Sequence, residues 1–319
     1  MIAYSFLPNS CETTGQLSTA LQRCEESYAP VSDSPAERME CMEVWGGSQL
    51  TAQGIVIGGL DAWVYSKPHG QAQRGGDVYY ASSCASGRAT RLLLADVSGH
   101  GTSVAAIAAD LRTLMLRFIN RTDQAEFVRL LNQQFSALSD ARTYATAIVG
   151  TFFAPSRRLT LCNAGHPRPI LYRARRKEWS LLWQESPPGL AGPSNLPLGL
   201  FSVTEYEHFD VELEPGDCVV AYTDALIESS DADGERLGEE GVLRILKMLG
   251  DVKPERLIDA LLGKIVEKYS ENLSDDVTVL IARANGSAQN FTLGVKILAA
   301  ARMAASALRS LVGGSVQRH

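Results

Sequence analysis

Apolar and polar residues alternate over short stretches along most of the chain, a period that is typical of strands in a half-buried sheet. Eight stretches are predicted as strands: residues 55–66, 77–84, 89–97, 145–154, 158–165, 169–175, 218–224 and 276–283. Turn-forming residues separate several neighbours, as in the sequence APSRR at 154–158. The pattern therefore predicts a domain rich in short, locally paired strands.

Apolar residues at three- and four-residue spacings predict helices in two blocks. The first block holds residues 102–119 and 122–135, and Thr122 or Asp123 is a candidate N-cap of its second helix. The second block holds residues 239–249 and 253–269. Because strands and helices each occur in adjacent pairs and do not alternate, the predicted fold class is α+β, built in layers.

Composition divides the chain into three parts. Residues 1–34 are mostly polar and lack sustained periodicity, so they are predicted to form an N-terminal extension. One domain is predicted for residues 35–284, followed at 285–319 by a basic C-terminal tail with an amphipathic helix. Within the domain, seven of the 16 residues at 184–199 are Pro or Gly, which predicts a long loop.

The charge is distributed unevenly. The formal net charge is −6, and residues 293–319 contribute four basic residues and no acid, which leaves −10 for the remainder. The strong negative charge of this remainder argues against nucleic acid as a partner. It is consistent with a protein that uses clustered carboxylates to bind cations. For the tail, packing on the domain or in a homodimer is favoured over contact with a membrane surface or another partner.

Targeting signals and cysteine spacing indicate where the protein is located and which kind of metal site it could contain. The sequence has no apolar run of membrane-spanning length, and its first residues lack the pattern of a signal peptide, so a cytoplasmic location is expected. The six cysteines include no C-x-x-C pair, which argues against a disulfide framework or a zinc site. Any bound metal is therefore expected to have oxygen ligands.

Two acids are predicted to face each other across a hairpin. If Ser86 and Gly87 form a two-residue turn, Asp77 lies directly opposite Asp96. Like charges so placed repel, and a cation between them would make the pairing stabilising. Asp224 ends one apolar run and Asp275 and Asp276 begin another, so four strand termini are predicted to bring acids to one rim.

This rim has two interpretations. A single Asp at a strand end is most often a cap of the following turn or helix. A set of such acids suits two Mg²⁺ or Mn²⁺ ions, which acidify a water for attack on a phosphoester. In the segment LLLADVSGHG at 92–101, Gly99 and Gly101 permit a tight turn that leaves the Val97 carbonyl free as a ligand.

The segments GGDVYY, LLLADVSGHG, LCNAGHPRPILYR, LPLGL, EPGDCVVAYTDALIES with DGERLGEEGV, and SDDVTVLIAR follow one another along the chain. In this order they resemble the motifs of PPM-type metal-dependent protein serine/threonine phosphatases, in particular the SpoIIE-like bacterial branch. The resemblance covers about residues 40–284. It implies a β-sandwich flanked by pairs of helices, layered α-β-β-α, with two Mn²⁺ or Mg²⁺ ions at one edge.

By motif position, the resemblance implies that Asp96 bridges both metals and that Val97 offers its carbonyl. Asp224 and Asp275 are implied as ligands of the second metal. Asp77 is implied to bind a metal directly or through water, and Asp276 has a secondary role. The implied substrate is a phosphoserine or phosphothreonine protein, typically an anti-sigma factor antagonist.

The sequence departs from this pattern at two positions. Arg74 stands where the branch usually has an apolar residue, and either phosphate contact or simple exposure would account for it. Tyr80 replaces a second acid of the common GGDFYD pattern.

Two histidines and an acidic loop have open roles. His100 is a candidate general acid or a hydrogen-bonding residue of its turn. For His166 a role in shaping the site is favoured over catalysis. The acidic stretch 230–241 lacks the spacing of a calcium loop, and a solvated loop is expected there.

The predicted function is phosphoprotein hydrolysis by direct attack of a metal-activated water, with Asp96, Asp77 and His100 as the catalytic candidates. The alternatives are a catalytically weak binding or scaffold module with the same fold, and a metal hydrolase of small phosphoesters.

Overall fold

Two stacked β-sheets form the centre of the protein. The computed structural model describes residues 37–39, 44–70, 72–84, 88–99, 102–118, 121, 123–138, 143–182, 194–269 and 275–287. The strands are β1 (Glu37–Arg38), β2 (Val44–Gly47), β3 (Thr51–Ile57), β4 (Leu60–Lys67), β5 (Asp77–Cys84), β6 (Ala89–Val97), β7 (Ala145–Phe153), β8 (Arg158–Ala164), β9 (Ile170–Arg173), β10 (Glu178–Leu181), β11 (Phe209–Glu212), β12 (Cys218–Tyr222) and β13 (Val277–Ala284). The helices are α1 (Thr102–Arg117), α2 (Gln124–Leu138), α3 (Asp224–Glu228), α4 (Gly238–Leu249) and α5 (Pro254–Lys268).

The strands divide into a seven-stranded and a six-stranded sheet. We call the first sheet A, with the order β1-β3-β4-β13-β12-β9-β10, and the second sheet B, with the order β11-β8-β7-β6-β5-β2. Neighbouring strands are antiparallel except for the short parallel pair of β1 and β3. In sheet A, β13 lies between β4 and β12, although these three strands are far apart in the sequence.

Three apolar clusters fill the spaces between four layers. Alternate residues of β4, β6 and β13, such as Val64, Leu94 and Leu280, meet between the two sheets. The opposite face of sheet B packs on α1 and α2, and the opposite face of sheet A packs on α3, α4 and α5. The predicted α-β-β-α sandwich flanked by helices is therefore confirmed, and it follows from the period-two alternation of the strands.

The structure corrects several predicted elements. The stretch 55–66 is two strands, because Gly58 and Gly59 form a two-residue turn that pairs Ile57 with Leu60, and Gly59 has a φ of 77°. Such a Gly-Gly pair is a hairpin signal in its own right. The short edge strands β2, β10 and β11 and the five-residue helix α3 were not predicted.

Some predictions lie beyond what the structure describes. The extension at 1–34, the tail from residue 288 onward, His100, Gly101 and the predicted turn at Ser86 and Gly87 lie outside the described residues. The proposed domain boundaries stay a prediction. Within the described segments, no helix is both long and apolar enough to cross a membrane.

Candidate metal centre

Asp77 and Asp96 meet in the register that the sequence predicts. They are directly paired across β5 and β6, and the pairing continues to Cys84 opposite Ala89. Both acids point to the same face as Tyr79 and Leu94, which belong to the core between the sheets. Asp77 is 3% exposed and Asp96 is half-buried. The two carboxylates therefore close one end of the inter-sheet core.

Sheet A supplies two further acids at the same end. Asp224 begins α3 directly after β12, and Asp275 lies two residues before β13. Because Tyr222 pairs with Val279, the end of β12 and the start of β13 are neighbours. Both carboxylates are close enough to raise the pKa of Asp96 by repulsion. The prediction that strand termini bring these acids to one rim agrees with this arrangement.

The rim is electrostatically unfavourable without a cation. Burial and the charges of Asp224 and Asp275 raise the pKa of Asp96 from 3.8 to about 7. Burial and Asp96 raise the pKa of Asp77 well above its usual range. Burial, then Glu228 and Asp275, raises the pKa of Asp224. In each case burial is the largest cause, and repulsion from neighbouring acids adds to it.

The donors at the rim fit a hard divalent cation. A Cβ atom built on Gly76 would lie 2.8 Å from the carbonyl oxygen of Val97, so that oxygen sits against the glycine directly beside Asp77. Among the described residues, no three Asp, Glu, His or Cys side chains are arranged to hold a metal by themselves. Mg²⁺ and Mn²⁺ bind to paired carboxylates together with a carbonyl oxygen and waters. They do not need a complete set of protein ligands.

Asp276 has a different role from its neighbour Asp275. Its carboxylate accepts the backbone N–H groups of His69 at 2.6 Å and Gly76 at 2.5 Å. A Cβ atom on Gly75 would overlap this carboxylate, which explains the glycine there. Asp276 therefore holds the connection between β4 and β5 against the start of β13. The sequence predicts a secondary role for Asp276, and the contact seen here is a structural one.

A row of buried hydroxyl groups beneath the acids was not predicted. Thr223 donates a hydrogen bond from Oγ1 to Asp77 Oδ2 at 2.9 Å. Thr278 and Ser66 continue the row across sheet A, with their hydroxyl oxygens 3.0 Å apart. The only signal in the sequence is a polar residue at the end of each apolar run, and that signal does not reveal which residues meet.

His166 lies beside the rim but is not placed to transfer protons near neutral pH. Its Nδ1 is 2.9 Å from Oγ1 of Thr146, which pairs directly with Asp96. Its backbone N–H donates to the side-chain oxygen of Asn163 at 2.7 Å. Burial lowers the pKa of His166 to about 3. This geometry agrees with the prediction that His166 shapes the site.

The two departures from the family pattern differ in their surroundings. Arg74 is exposed. Tyr80 is fully buried in the core between sheet B and its helices, on the face opposite Asp77.

The acidic loop after α3 is closed by its own hydrogen bonds. Asp231 Oδ1 accepts the N–H groups of Asp233 at 3.1 Å and Glu235 at 3.0 Å. Glu228 forms an ion pair with Arg236 at 2.8 Å. The loop is thus a solvated turn, as predicted, but Glu228 also adds negative charge near Asp96 and was missed by sequence reasoning.

Comparison with known proteins adds a family and several relatives. The family model described as Stage II sporulation protein E (SpoIIE) matches residues 86–285. The phosphoserine phosphatase RsbP of Bacillus subtilis strain 168 is 29% identical over 142 residues, which is 43% of this chain and 33% of RsbP. The chain therefore matches about a third of the length of that curated relative.

Several solved structures have a similar architecture. The RsbU and RsbW domains of Rv1364c from Mycobacterium tuberculosis match with a TM-score of 0.60 and 25% identity, covering 81% of this chain and 71% of that one. The PP2C phosphatase domain of SpoIIE with a regulatory fragment, from Bacillus subtilis, matches with a TM-score of 0.57 and 16% identity over 77% and 64% of the two chains. RsbX in complex with magnesium matches with a TM-score of 0.51 and 18% identity over 72% and 98%.

Proposed function

Because the chain belongs to the SpoIIE family and has the fold of PP2C-type phosphatases, we propose that it is a metal-dependent protein serine/threonine phosphatase. The observation that carries the proposal is the rim itself. Acids associated with two separate sheets converge where the inter-sheet core ends, and burial together with repulsion from neighbouring acids raises the pKa values of Asp77, Asp96 and Asp224. A purely structural cap would not require the buried Asp77 to face the half-buried Asp96 across a strand pair.

The proposed centre holds two Mn²⁺ or Mg²⁺ ions. Asp96 would bridge them, the Val97 carbonyl and Asp77 would complete the first site, and Asp224 and Asp275 would hold the second. Such ions, when bound, neutralise phosphate charge and acidify the water that attacks phosphorus directly. The magnesium in the RsbX structure belongs to that protein, and it supports the choice of ion here by likeness of fold only.

The residues around the acids have roles of their own in this mechanism. Gly99, with a φ of 107°, turns the chain from β6 towards α1. The first backbone N–H groups of this 16-residue helix lie beyond the turn and favour an anionic phosphoryl group. His166 remains neutral and holds Thr146 beside Asp96. Protonation of the leaving serine oxygen is proposed for His100, and the alternative for this residue is a hydrogen bond within its turn.

The proposed substrate is phosphoserine or phosphothreonine on a regulatory protein, such as an anti-sigma factor antagonist. Two relatives support this class: RsbP is named a phosphoserine phosphatase, and the M. tuberculosis match includes an RsbU domain beside an RsbW domain.

Phosphate release from a phosphoserine protein is the direct test. Wild type should release phosphate with Mn²⁺ and stop with a chelator, and Asp96→Asn should lose at least about 100-fold in rate, because its bridging charge supports both ions. Asp110→Asn, an exposed acid on α1, is the matched control and should keep its activity.

The alternatives predict other results. Equal rates on free phosphoserine and on the phosphoprotein would indicate a hydrolase of small phosphoesters. A wild type that binds Mn²⁺ but releases no phosphate from several phosphoproteins would contradict catalysis and favour the binding-module interpretation.

A further inference from the structure

Three hydroxyl groups form a continuous row across sheet A. Ser66 on β4 pairs directly with Thr278 on β13, and Thr223 follows β12 and donates its N–H to the Thr278 carbonyl at 3.0 Å. The three residues are 1%, 0% and 0% exposed. They lie on the face that carries Val64, Leu280 and Ala221 into the inter-sheet core, so they face sheet B.

The bonds around Thr223 fix the direction in which its hydroxyl donates. The Oγ1 atom accepts the backbone N–H of Thr278 at 2.9 Å. Its own hydrogen can then reach Asp77 Oδ2 at 2.9 Å or the Thr278 carbonyl at 3.4 Å. The carboxylate oxygen is closer and carries more charge, so it takes the proton-donating bond. One oxygen of Asp77 is therefore occupied by a residue of the opposite sheet.

The next residue in the chain is Asp224. Thr223 thus joins an acid of sheet B to the segment that presents an acid of sheet A. Apolar contacts between the sheets are non-directional and do not fix a separation closely. Ligands of Mg²⁺ must lie within a few tenths of an ångström of their required positions. Directional hydrogen bonds to the Asp77 carboxylate, from Thr223 and also from the side chain of Thr278, supply this constraint beside the rim.

We propose that Thr223 is a positioning residue that sets the distance between the two halves of the metal centre by holding Asp77 at a fixed rotamer against sheet A. The inference rests on the proposed function, because it concerns the same acids. The hydroxyl is the part of Thr223 that matters, and its methyl group only fills space.

A graded set of substitutions tests this role. Thr223→Ser keeps the donor without the methyl group, Thr223→Cys has the shape of Ser with a weaker donor, and Thr223→Val keeps the shape of Thr without a donor. The matched control is Thr90→Val. Thr90 lies on the same face of sheet B as Asp96, near the other end of β6, and is 0% exposed. Among the residues that the structure describes, none forms a hydrogen bond with its hydroxyl.

The measurement is Mn²⁺ affinity of the metal-free protein by titration calorimetry, together with kcat on p-nitrophenyl phosphate at saturating Mn²⁺. Affinity should fall in the order Thr, Ser, Cys, Val, with Val about 10- to 100-fold weaker than wild type. The saturated kcat should fall much less than the affinity. Thr90→Val should bind Mn²⁺ as wild type does, because its hydroxyl contacts no ligand.

The outcomes separate this inference from the proposed function. If Thr223→Val binds Mn²⁺ as tightly as wild type, the positioning role is wrong while the metal centre stands. If wild type itself binds no Mn²⁺, the proposed function fails first. Should Thr223→Val not fold, Ser and Cys still decide the matter, because equal affinities for these two would also overturn the role of the donor.

Discussion

Asp96 is unfavourable for the metal-free fold near neutral pH, although the proposed metal centre depends on it. Its pKa of about 7 means that the metal-free fold binds a proton there more tightly than the unfolded chain does, for which the pKa is 3.8. A raised carboxyl pKa contributes stability at low pH, and this contribution is lost as the pH rises between about 4 and 7. Near neutral pH, the ionised Asp96 opposes folding unless a cation is present.

We therefore predict that Asp96→Asn stabilises the metal-free protein at pH 7 while it weakens Mn²⁺ binding. The Tm of the metal-free variant should exceed that of wild type by a few degrees, since about 1 kcal/mol corresponds to roughly 2–4 °C in a domain of this size. The difference should shrink towards pH 4, where wild type is protonated. Differential scanning calorimetry at several pH values measures this, and a variant less stable than wild type at pH 7 would contradict it.

At the scale of elements, the start of β13 carries two adjacent acids with different assigned roles. Asp276 ties β13 to the connection between β4 and β5 through two short backbone hydrogen bonds. Asp275 is exposed and faces the other acids of the rim. The sequence alone does not distinguish these two acids, because the role of each depends on the direction in which its side chain points.

Alanine substitution should separate these two acids. Asp276→Ala should lower the free energy of unfolding by roughly 2–4 kcal/mol, because it leaves N–H groups without their charged acceptor. Asp275→Ala should change stability by less than about 1 kcal/mol and should weaken Mn²⁺ binding. Urea unfolding of the metal-free variants and calorimetric titration provide the two readings. The assignment is wrong if the larger loss of stability belongs to Asp275→Ala.

The elements also show what local pattern can and cannot predict. The pairing of Asp77 with Asp96 was predictable, because a two-residue turn and period-two alternation fix the register of a hairpin. The rule for two-residue turns also predicts a division of 55–66 at Gly58 and Gly59. The long apolar run around these glycines instead suggested a single strand. The bond from Thr223 to Asp77 was not predictable, because it depends on how two sheets are stacked and not on the register within either.

For the whole molecule, the proposed metal centre would connect the two sheets of the sandwich. Asp77 and Asp96 belong to sheet B, whereas Asp224 and Asp275 lie just beyond the ends of two neighbouring strands of sheet A, β12 and β13. A ligand that binds only the folded state stabilises it by about 2.7 kcal/mol at a free concentration 100 times its Kd. The stabilisation should therefore be shared by both sheets.

We predict that Mn²⁺ slows amide hydrogen exchange in β6 and in β12 together. The slowing should be small in β10, an edge strand far from the rim in the order of sheet A. Hydrogen exchange with mass spectrometry, with and without Mn²⁺, measures both sheets at once, and Asp96→Asn serves as the control. Protection confined to one sheet would show that the ligands do not come from both.

The central position of β13 has a consequence for synthesis on the ribosome. Sheet A is incomplete until β13 inserts between β4 and β12. These two strands precede β13 in the sequence by more than 200 and more than 50 residues. Until Ala284 has left the exit tunnel, the facing edges of those two strands lack their shared hydrogen-bonding partner and are exposed to other chains. The nascent chain must therefore wait for its last described strand, and the interval before that strand emerges is when chaperone binding matters most.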